Sequence, residues 1–282
     1  MSAISLDGER LAARWRAGIA ADAAALKARG IAPKMATVLV GDDPASAAYI
    51  GRKHADCLET GIEALDIRLP ADATRAELLE QVDRLNRDPS VHGLMVQLPL
   101  PAPLDEDEAL AAVAPHKDID GLHPANLGRL LAGRPGLLPC TPAAILGLLS
   151  DYDVPLAGRR VAILGRGPLV GRPLAMLLSL KDTDATVTLL HSRSPDIAGE
   201  LRRADVVVAA IGVAGYVTAG MVKPGAAVVG VGISYTADGR MVSDVAEEVT
   251  EVAGLVTPPH GSVGALTRAA LLRNLISAAR PA

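Results

Sequence analysis

Tyr49 and Lys53 stand four residues apart in a stretch whose pattern is helical, so their side chains share one face, a turn from each other. A lysine held among apolar walls loses proton affinity and serves as a general acid or base near neutral pH. Gln97 closes the apolar run 91–98, and Asp120 lies in the loop Lys117-Asp118-Ile119-Asp120-Gly121-Leu122-His123-Pro124. All four are expected at the carboxyl edge of one sheet, where α/β folds place their ligands. Each has a plainer use as well. Tyr49 could be half-buried packing, Lys53 a solvated helix lysine, Gln97 a strand-end polar group and Asp120 a turn cap. Convergence favours a site and names no reaction.

A second constellation lies further along. Val161-Ala162-Ile163-Leu164 is a continuous apolar run, as in a strand buried on both faces. It passes into Gly165-Arg166-Gly167-Pro168-Leu169-Val170-Gly171-Arg172-Pro173, followed by a helix over 174–180. Glycines at such a turn let the backbone approach a pyrophosphate, and the helix N-terminus offers free N–H groups. The spacing, G-x-G-x-x-x-G, is one residue longer than the usual dinucleotide fingerprint. The next strand, 186–190, ends in His191-Ser192-Arg193 instead of the acid that binds a ribose 2′-hydroxyl. A hydroxyl and two guanidiniums, those of Arg166 and Arg193, suit a 2′-phosphate and so favour NADP over NAD. The alternative is that both arginines are ordinary solvated loop residues.

The elements that must carry these residues alternate. Strands are predicted over 35–40, 62–69 and 91–98, with helices over 6–29, 44–59, 74–87 and 105–113. A stretch rich in glycine and proline, 115–142, separates them from a second set. There, after a helix over 142–149, the strands are 160–164, 186–190, 205–209 and 226–231, and a last helix spans 263–279. The alternation predicts parallel β-α-β units with right-handed crossovers in two α/β domains, the second a Rossmann-like nucleotide-binding domain.

Composition narrows the classes. Net charge is −4 and aromatics are 2% of 282 residues, with no Phe; neither a basic stripe nor aromatic platforms for base stacking are present, which argues against nucleic acid as partner. Cys57 and Cys140 are expected to be reduced, packed thiols. The six histidines show no metal-ligand spacing and no metal is expected. No Ser–His–Asp pattern and no Gly-x-Ser-x-Gly elbow stands out. Residues 1–16 lack the apolar segment of a signal peptide, and no run is long enough to span a bilayer, so a cytoplasmic protein is expected.

Taken in order, Val40-Gly41-Asp42-Asp43-Pro44-Ala45-Ser46 with Tyr49 and Lys53, Val96 to Pro101, Lys117 to Pro124, Pro139-Cys140-Thr141-Pro142, Gly165 to Pro173, and Lys223-Pro224-Gly225-Ala226 resemble the bacterial FolD-type methylenetetrahydrofolate dehydrogenase/cyclohydrolases over nearly the whole chain. The resemblance implies a folate-binding catalytic domain over 1–138, an NADP-binding Rossmann-like domain with a parallel sheet over 139–262, and a helix, 263–282, that packs back on the first. It implies a folate cleft, a homodimer and two reactions. The methylene carbon of 5,10-methylenetetrahydrofolate gives a hydride to NADP, and water then opens the methenyl product to 10-formyltetrahydrofolate. It assigns Lys53 as acid/base, Gln97 as its tuner, Tyr49 to stacking on the folate and Asp120 to gripping the pterin. Arg166 and Ser192 meet the NADP phosphate, and Gly165, Gly167 and Ile233 line the cofactor.

Three places depart from the family's pattern. Gly167 stands for a serine. Gly230-Val231-Gly232-Ile233-Ser234 replaces Asp-Val-Gly-Ile-Asn, and Thr257-Pro258-Pro259-His260-Gly261-Ser262-Val263 replaces Thr-Pro-Val-Pro-Gly-Gly-Val. A side chain at Ser262 is expected to crowd folate or nicotinamide. Rival readings are an amino-acid or shikimate-type dehydrogenase of the same architecture, and a divergent paralogue that binds folate or nucleotide with cyclohydrolase activity only or little turnover.

Overall fold

A two-residue strand, β1 (Ile4–Ser5), precedes the first helix, α1 (Gly8–Ala28), in the computed structural model, which describes residues 2–235, 241–258 and 262–281. The strand-helix alternation follows as β2 (Lys34–Val40), α2 (Pro44–Glu59), β3 (Glu63–Leu69), α3 (Arg75–Arg87), β4 (Gly93–Val96) and α4 (Glu106–Ala112). Then come α5 (Pro124–Leu131), α6 (Cys140–Asp151), β5 (Arg160–Leu164), α7 (Gly171–Ser179), β6 (Thr186–Leu190), α8 (Ile197–Arg203), β7 (Val206–Ala209) and β8 (Ala227–Gly230). The remainder is a hairpin, β9 (Ile233–Tyr235) and β10 (Met241–Ser243), then β11 (Leu255–Val256) and α9 (Val263–Ala279). The chain divides into two compact units, residues 13–140 with 268–282, and residues 1–12 with 141–267.

The unit of residues 13–140 and 268–282 is built on a parallel sheet in the order β3-β2-β4. Six of the seven residues of β2 are buried, as befits a central strand covered on both faces. Ala36, Val38, Val40, Leu94 and Val96 pack on Leu78, Val82 and Leu85 of α3. Caps set the helix starts. The Asp43 carboxylate accepts from the Ser46 N–H at 2.8 Å with Pro44 opening α2, and Thr74 and Glu77 form a reciprocal capping box on α3. The segment predicted as loop between 115 and 142 contains α5. Its glycine and proline content hid a helix that Pro124 opens and His123 caps, Nδ1 accepting from the Ala125 N–H at 2.9 Å.

The unit of residues 1–12 and 141–267 is a six-stranded parallel sheet, β1-β11-β8-β7-β5-β6. The chain goes from β5 outward to β6, then returns past β5 to β7. The reversal falls between β5 and β7, the position at which ligands bind in open α/β sheets. All four residues of β7 are buried, and Val207, Val228, Leu164 and Leu190 lead its core. The sequence reading put residues 1–138 together. Here β1 joins the second sheet, Ile4 in register with Leu255 and Ser5 with Val256. Two residues are too short for a period-two signal, and the helix that hydrophobic periodicity placed from residue 6 begins at Gly8.

Candidate functional site

Lys53 lies on α2 and is 5% exposed. Its Nζ donates to Gln97 Oε1 at 3.2 Å and to Met95 Sδ at 3.1 Å, and it sits 4.5 Å from the centroid of the Tyr49 ring. Strand geometry explains the two acceptors. Met95 and Gln97 are two residues apart at the carboxyl end of β4, so they face the same side, and the Gln97 N–H still bonds the Val38 carbonyl at 2.9 Å. The Gln97 amide is held by donating Nε2–H to the Leu98 carbonyl at 2.6 Å, which leaves Oε1 turned to the lysine. Sequence reasoning found Lys53, Tyr49 and Gln97 and passed over Met95, although the period of two pointed to it.

The electrostatics of this cluster follow from burial. Loss of water lowers the proton affinity of Lys53, while the nearby Asp120 and Cys140 oppose that shift. Asp120 is pushed up from the ordinary carboxylate range by burial, against the pull of Lys53, and Asp118 adds to the rise. Tyr49 is pushed up to about 12, first by burial and then by Asp120. Burial moves the amine toward neutrality, while the π-face of the Tyr49 ring favours its charged form.

The loop that carries Asp120 is fixed by its neighbours. The buried Asp118 carboxylate accepts from the backbone N–H groups of Gly121 at 3.1 Å and His123 at 2.8 Å, and from Asn126 Nδ2 at 2.8 Å. Lys117, also buried, donates to the carbonyls of Leu85 and Asp88. From α9, Asn274 Nδ2 bridges the carbonyls of Ile119 at 2.8 Å and Leu138 at 2.7 Å, and Cys140 Sγ donates to Ile119 O at 3.2 Å. In the Lys-Asp-Ile-Asp string the first two residues are thus structural anchors that hold the backbone ahead of Asp120. Nothing in its spacing separated Asp118 from Asp120.

In the other unit Gly165 follows β5 with φ +115, and a Cβ there would overlap the Ala210 carbonyl oxygen. A Cβ on Gly171, the first residue of α7, would overlap the Gly165 carbonyl oxygen. These two glycines let helix and strand turn approach as the dinucleotide fingerprint requires. Gly167 has open space around its Cβ position, so the usual serine would fit there. Arg166 is exposed on the same turn, and Ser192 and Arg193 are exposed just past β6. Ile233, 50% exposed, follows β8, and Leu169 and Val213 also show apolar surface past β5 and β7. Glycine cradle, exposed guanidiniums and apolar rim thus all lie past the carboxyl ends of these parallel strands, and this set fits a pyridine dinucleotide.

Two family models cover the chain: the catalytic domain of tetrahydrofolate dehydrogenase/cyclohydrolase matches residues 6–120, and the NAD(P)-binding domain of the same enzyme matches residues 139–282. The bifunctional methylenetetrahydrofolate dehydrogenase/cyclohydrolase FolD of Campylobacter jejuni is 39% identical, with 99% of each chain covered and a TM-score of 0.96. The chain belongs to the tetrahydrofolate dehydrogenase/cyclohydrolase family. A Trypanosoma brucei member, solved with NADP cofactor and inhibitor, is 36% identical over 99% of this chain and 98% of its own, at a TM-score of 0.93. The bifunctional enzyme of Thermoplasma acidophilum is 32% identical over 97% of both, at 0.90. As a tetrahydrofolate dehydrogenase/cyclohydrolase the chain is an α/β enzyme of one-carbon metabolism, which sets aside an amino-acid or shikimate-type dehydrogenase.

Two departures from the family pattern acquire a structural account. At Gly230 a Cβ would overlap Ser243 Oγ, and the Gly230 N–H donates to Thr257 Oγ1 at 2.8 Å, so the space an aspartate would need is filled by hydroxyls. Ser262 is buried and donates its hydroxyl to the Leu6 carbonyl at 3.0 Å. The expected crowding of folate or nicotinamide is therefore replaced by a bond that fastens the start of α9 to the chain beside β1. Pro259, His260 and Gly261 lie outside the described residues.

Among the described residues no group of three His, Cys, Asp or Glu is disposed to hold a metal ion, and no helix is long and apolar enough to cross a membrane.

Proposed function

We propose that Lys53 is the acid/base group of the cyclohydrolase reaction in an enzyme that oxidises 5,10-methylenetetrahydrofolate with NADP and then hydrolyses 5,10-methenyltetrahydrofolate to 10-formyltetrahydrofolate. The observation that carries this reading is the buried amine held by Gln97 and Met95 over the Tyr49 ring. Addition of water at the methenyl carbon releases a proton, and ring opening delivers one to the departing nitrogen while the carbinolamine hydroxyl gives up its own to water, so that one proton is released overall. A neutral Lys53 takes the first at Nζ, and the resulting ammonium supplies the second. Gln97 Oε1 fixes where the amine hydrogens point, which directs its lone pair. The Tyr49 face stabilises the ammonium while it exists and offers the pterin-bearing substrate a flat wall. Asp120, held in place by the Asp118 and Asn274 contacts, accepts N–H groups of the pterin.

Arg166 and Ser192 bind the 2′-phosphate, and the Gly165–Gly171 turn takes the pyrophosphate, with Gly167 and Ile233 lining the cofactor. Bound there, NADP supplies a hydride acceptor. We assign the folate to the unit of residues 13–140 and 268–282, and the nucleotide to that of 1–12 and 141–267. We further place the enzyme in the cytoplasm, supported by two buried free thiols, Cys57 and Cys140. A homodimer is supported by β3, an edge strand with exposed residues in its three-stranded sheet; sedimentation giving a monomer at micromolar concentration would refute it. The decisive assay follows NADPH and methenyl absorbance on the purified protein with methylene substrate. Production of both signals, followed by decay of the methenyl band above its spontaneous rate, is expected. NADPH without enzymatic decay would remove the hydrolase assignment, and decay of added methenyl substrate without NADPH formation would remove the dehydrogenase.

A further inference from the structure

Asp244 is fully buried just past β10, in the unit that carries the nucleotide-binding glycines, and nothing in its sequence surroundings marks it. One carboxylate oxygen, Oδ2, accepts from two successive backbone N–H groups, Ile211 at 2.7 Å and Gly212 at 3.1 Å, in the loop after β7. The Asp244 main chain ties in the neighbouring segments. Its N–H donates to the Gly232 carbonyl at 3.1 Å, and its carbonyl accepts from Val217 N–H at 2.9 Å. Gly232 is required for this approach, because a Cβ there would overlap both carboxylate oxygens. Ser234 Oγ closes the ring by donating to the Gly212 carbonyl at 2.9 Å.

The residue therefore joins the loop after β7 to the turn after β8. These are the segments that carry Val213 and Ile233, half of whose surface remains exposed at the carboxyl edge of the sheet. The loop after β7 lies beside the Gly165 turn, whose closest neighbour across the sheet is the Ala210 carbonyl at the start of that loop, and the turn after β8 lies one strand further along. A buried carboxylate is costly to keep, and among the described residues its second oxygen, Oδ1, has no hydrogen-bond partner. An apolar residue would fill the space at lower cost, but it would leave the two amides of Ile211 and Gly212 without an acceptor and free to turn.

We infer that Asp244 is a positioning residue for the dehydrogenase half-reaction: it sets the loop after β7 against the turn after β8, so that the two present one apolar edge to the nicotinamide end of the dinucleotide. The inference rests on NADP binding at this edge as proposed above. It separates the two activities of the chain, because Lys53 and its partners belong to the other unit and owe nothing to this carboxylate.

The test compares wild type, Asp244→Ala and Asp244→Asn. Asparagine keeps an oxygen for the two amides and drops the charge. Binding of NADP is measured by titration calorimetry, and dehydrogenase and hydrolase rates are measured separately, the latter on 5,10-methenyltetrahydrofolate added directly. Asp244→Ala should weaken NADP binding about tenfold or more, the effect of losing one charge-assisted hydrogen bond or more, with a fall in dehydrogenase kcat as well. Exchange of the Ile211 and Gly212 amides should quicken. Hydrolysis should stay within about twofold, and Asp244→Asn should recover most of the affinity. Unchanged NADP affinity and kcat in the alanine variant would overturn the positioning role, as would a parallel loss of both activities that asparagine does not rescue. A wild type that binds no NADP at all would overturn the nucleotide reading itself, and is distinguished at the first titration.

Discussion

Lys53→Met keeps the length and volume of the side chain and removes the amine, so it should cost rate heavily while changing stability little near neutral pH. The amine is 5% exposed and has two acceptors, Gln97 Oε1 at 3.2 Å and Met95 Sδ at 3.1 Å. Deleting it leaves Gln97 Oε1 without this donor, a cost of about 1–3 kcal/mol if no water replaces it. Against that, a buried amine has already given up hydration worth a comparable amount, and methionine has none to lose. The two nearly cancel near neutral pH. Their balance changes with pH in a direction the structure fixes. Burial lowers the Lys53 proton affinity below its ordinary 10.5, so between the folded and unfolded pKa values the unfolded chain binds more protons and stability rises with pH. Wild type carries the full penalty below the folded pKa and sheds it as pH approaches 10.5. The melting temperature of Lys53→Met relative to wild type should therefore be most favourable below the lowered folded pKa and decline as pH rises from there toward 10.5. Hydrolysis of methenyltetrahydrofolate should fall about a hundred- to ten-thousandfold, the usual worth of a general acid/base, while oxidation of the methylene substrate stays measurable and methenyl absorbance accumulates. The assay is one cuvette with NADP and methylene substrate, and a parallel melting series over pH. Hydrolysis near the wild-type rate would show that Lys53 is not the proton carrier. A melting difference that does not vary with pH would show that the amine is not held toward neutrality.

Arg166→Ala should raise the KM for NADP about ten- to a hundredfold while leaving that for NAD nearly unchanged, since only NADP offers the 2′-phosphate; equal losses would remove the phosphate assignment. Gly167→Ser should be tolerated within about 0.5 kcal/mol because the space is open, whereas Gly171→Ala should cost about 1–3 kcal/mol or more and weaken NADP binding, since the Gly165 carbonyl must move. Melting curves and NADP titration of the pair check this, and similar behaviour of the two variants would contradict the cradle geometry. Ser262→Gly should lower stability by about 1 kcal/mol through loss of the buried bond to Leu6 and should leave dehydrogenase turnover unimproved; faster turnover would restore the crowding explanation.

What could be read from the residues had short-range signatures. The run Val161–Leu164 with its glycines announced strand, turn and helix together, because each physical requirement falls within about ten residues of the next. Tyr49, Lys53 and Gln97 were legible for the same reason, through helix and strand periods. Asp118 and Asp120 were not separable, since what makes Asp118 an anchor is the set of backbone N–H groups around its carboxylate. The helix α5 was hidden because glycine and proline are ambiguous between loop and helix start, and only the His123 cap decides. Strands β1 and β11 are two residues each, below the length at which alternation means anything. Asp244 belongs to no pattern at all, and its contacts come from segments that the sequence keeps far apart. Ser262 shows the opposite error: comparison with the family pattern drew attention to a side chain that in fact turns toward Leu6.

The pairing of β1 with β11 has a consequence for how the chain is made. Ile4 is made well before its partner Leu255. The other unit waits in the same way, for Asp22 and Asp56 find their arginines at Arg280 and Arg268. Neither unit can close vectorially ahead of the other, and the loop-closure entropy of both falls due only after residues 255–280 have been made. A nascent chain halted before α9 therefore holds two unfinished units instead of one finished and one missing. A lesion in residues 255–280 should be felt in two places at once, in the edge of one sheet and in the helix that carries Lys53.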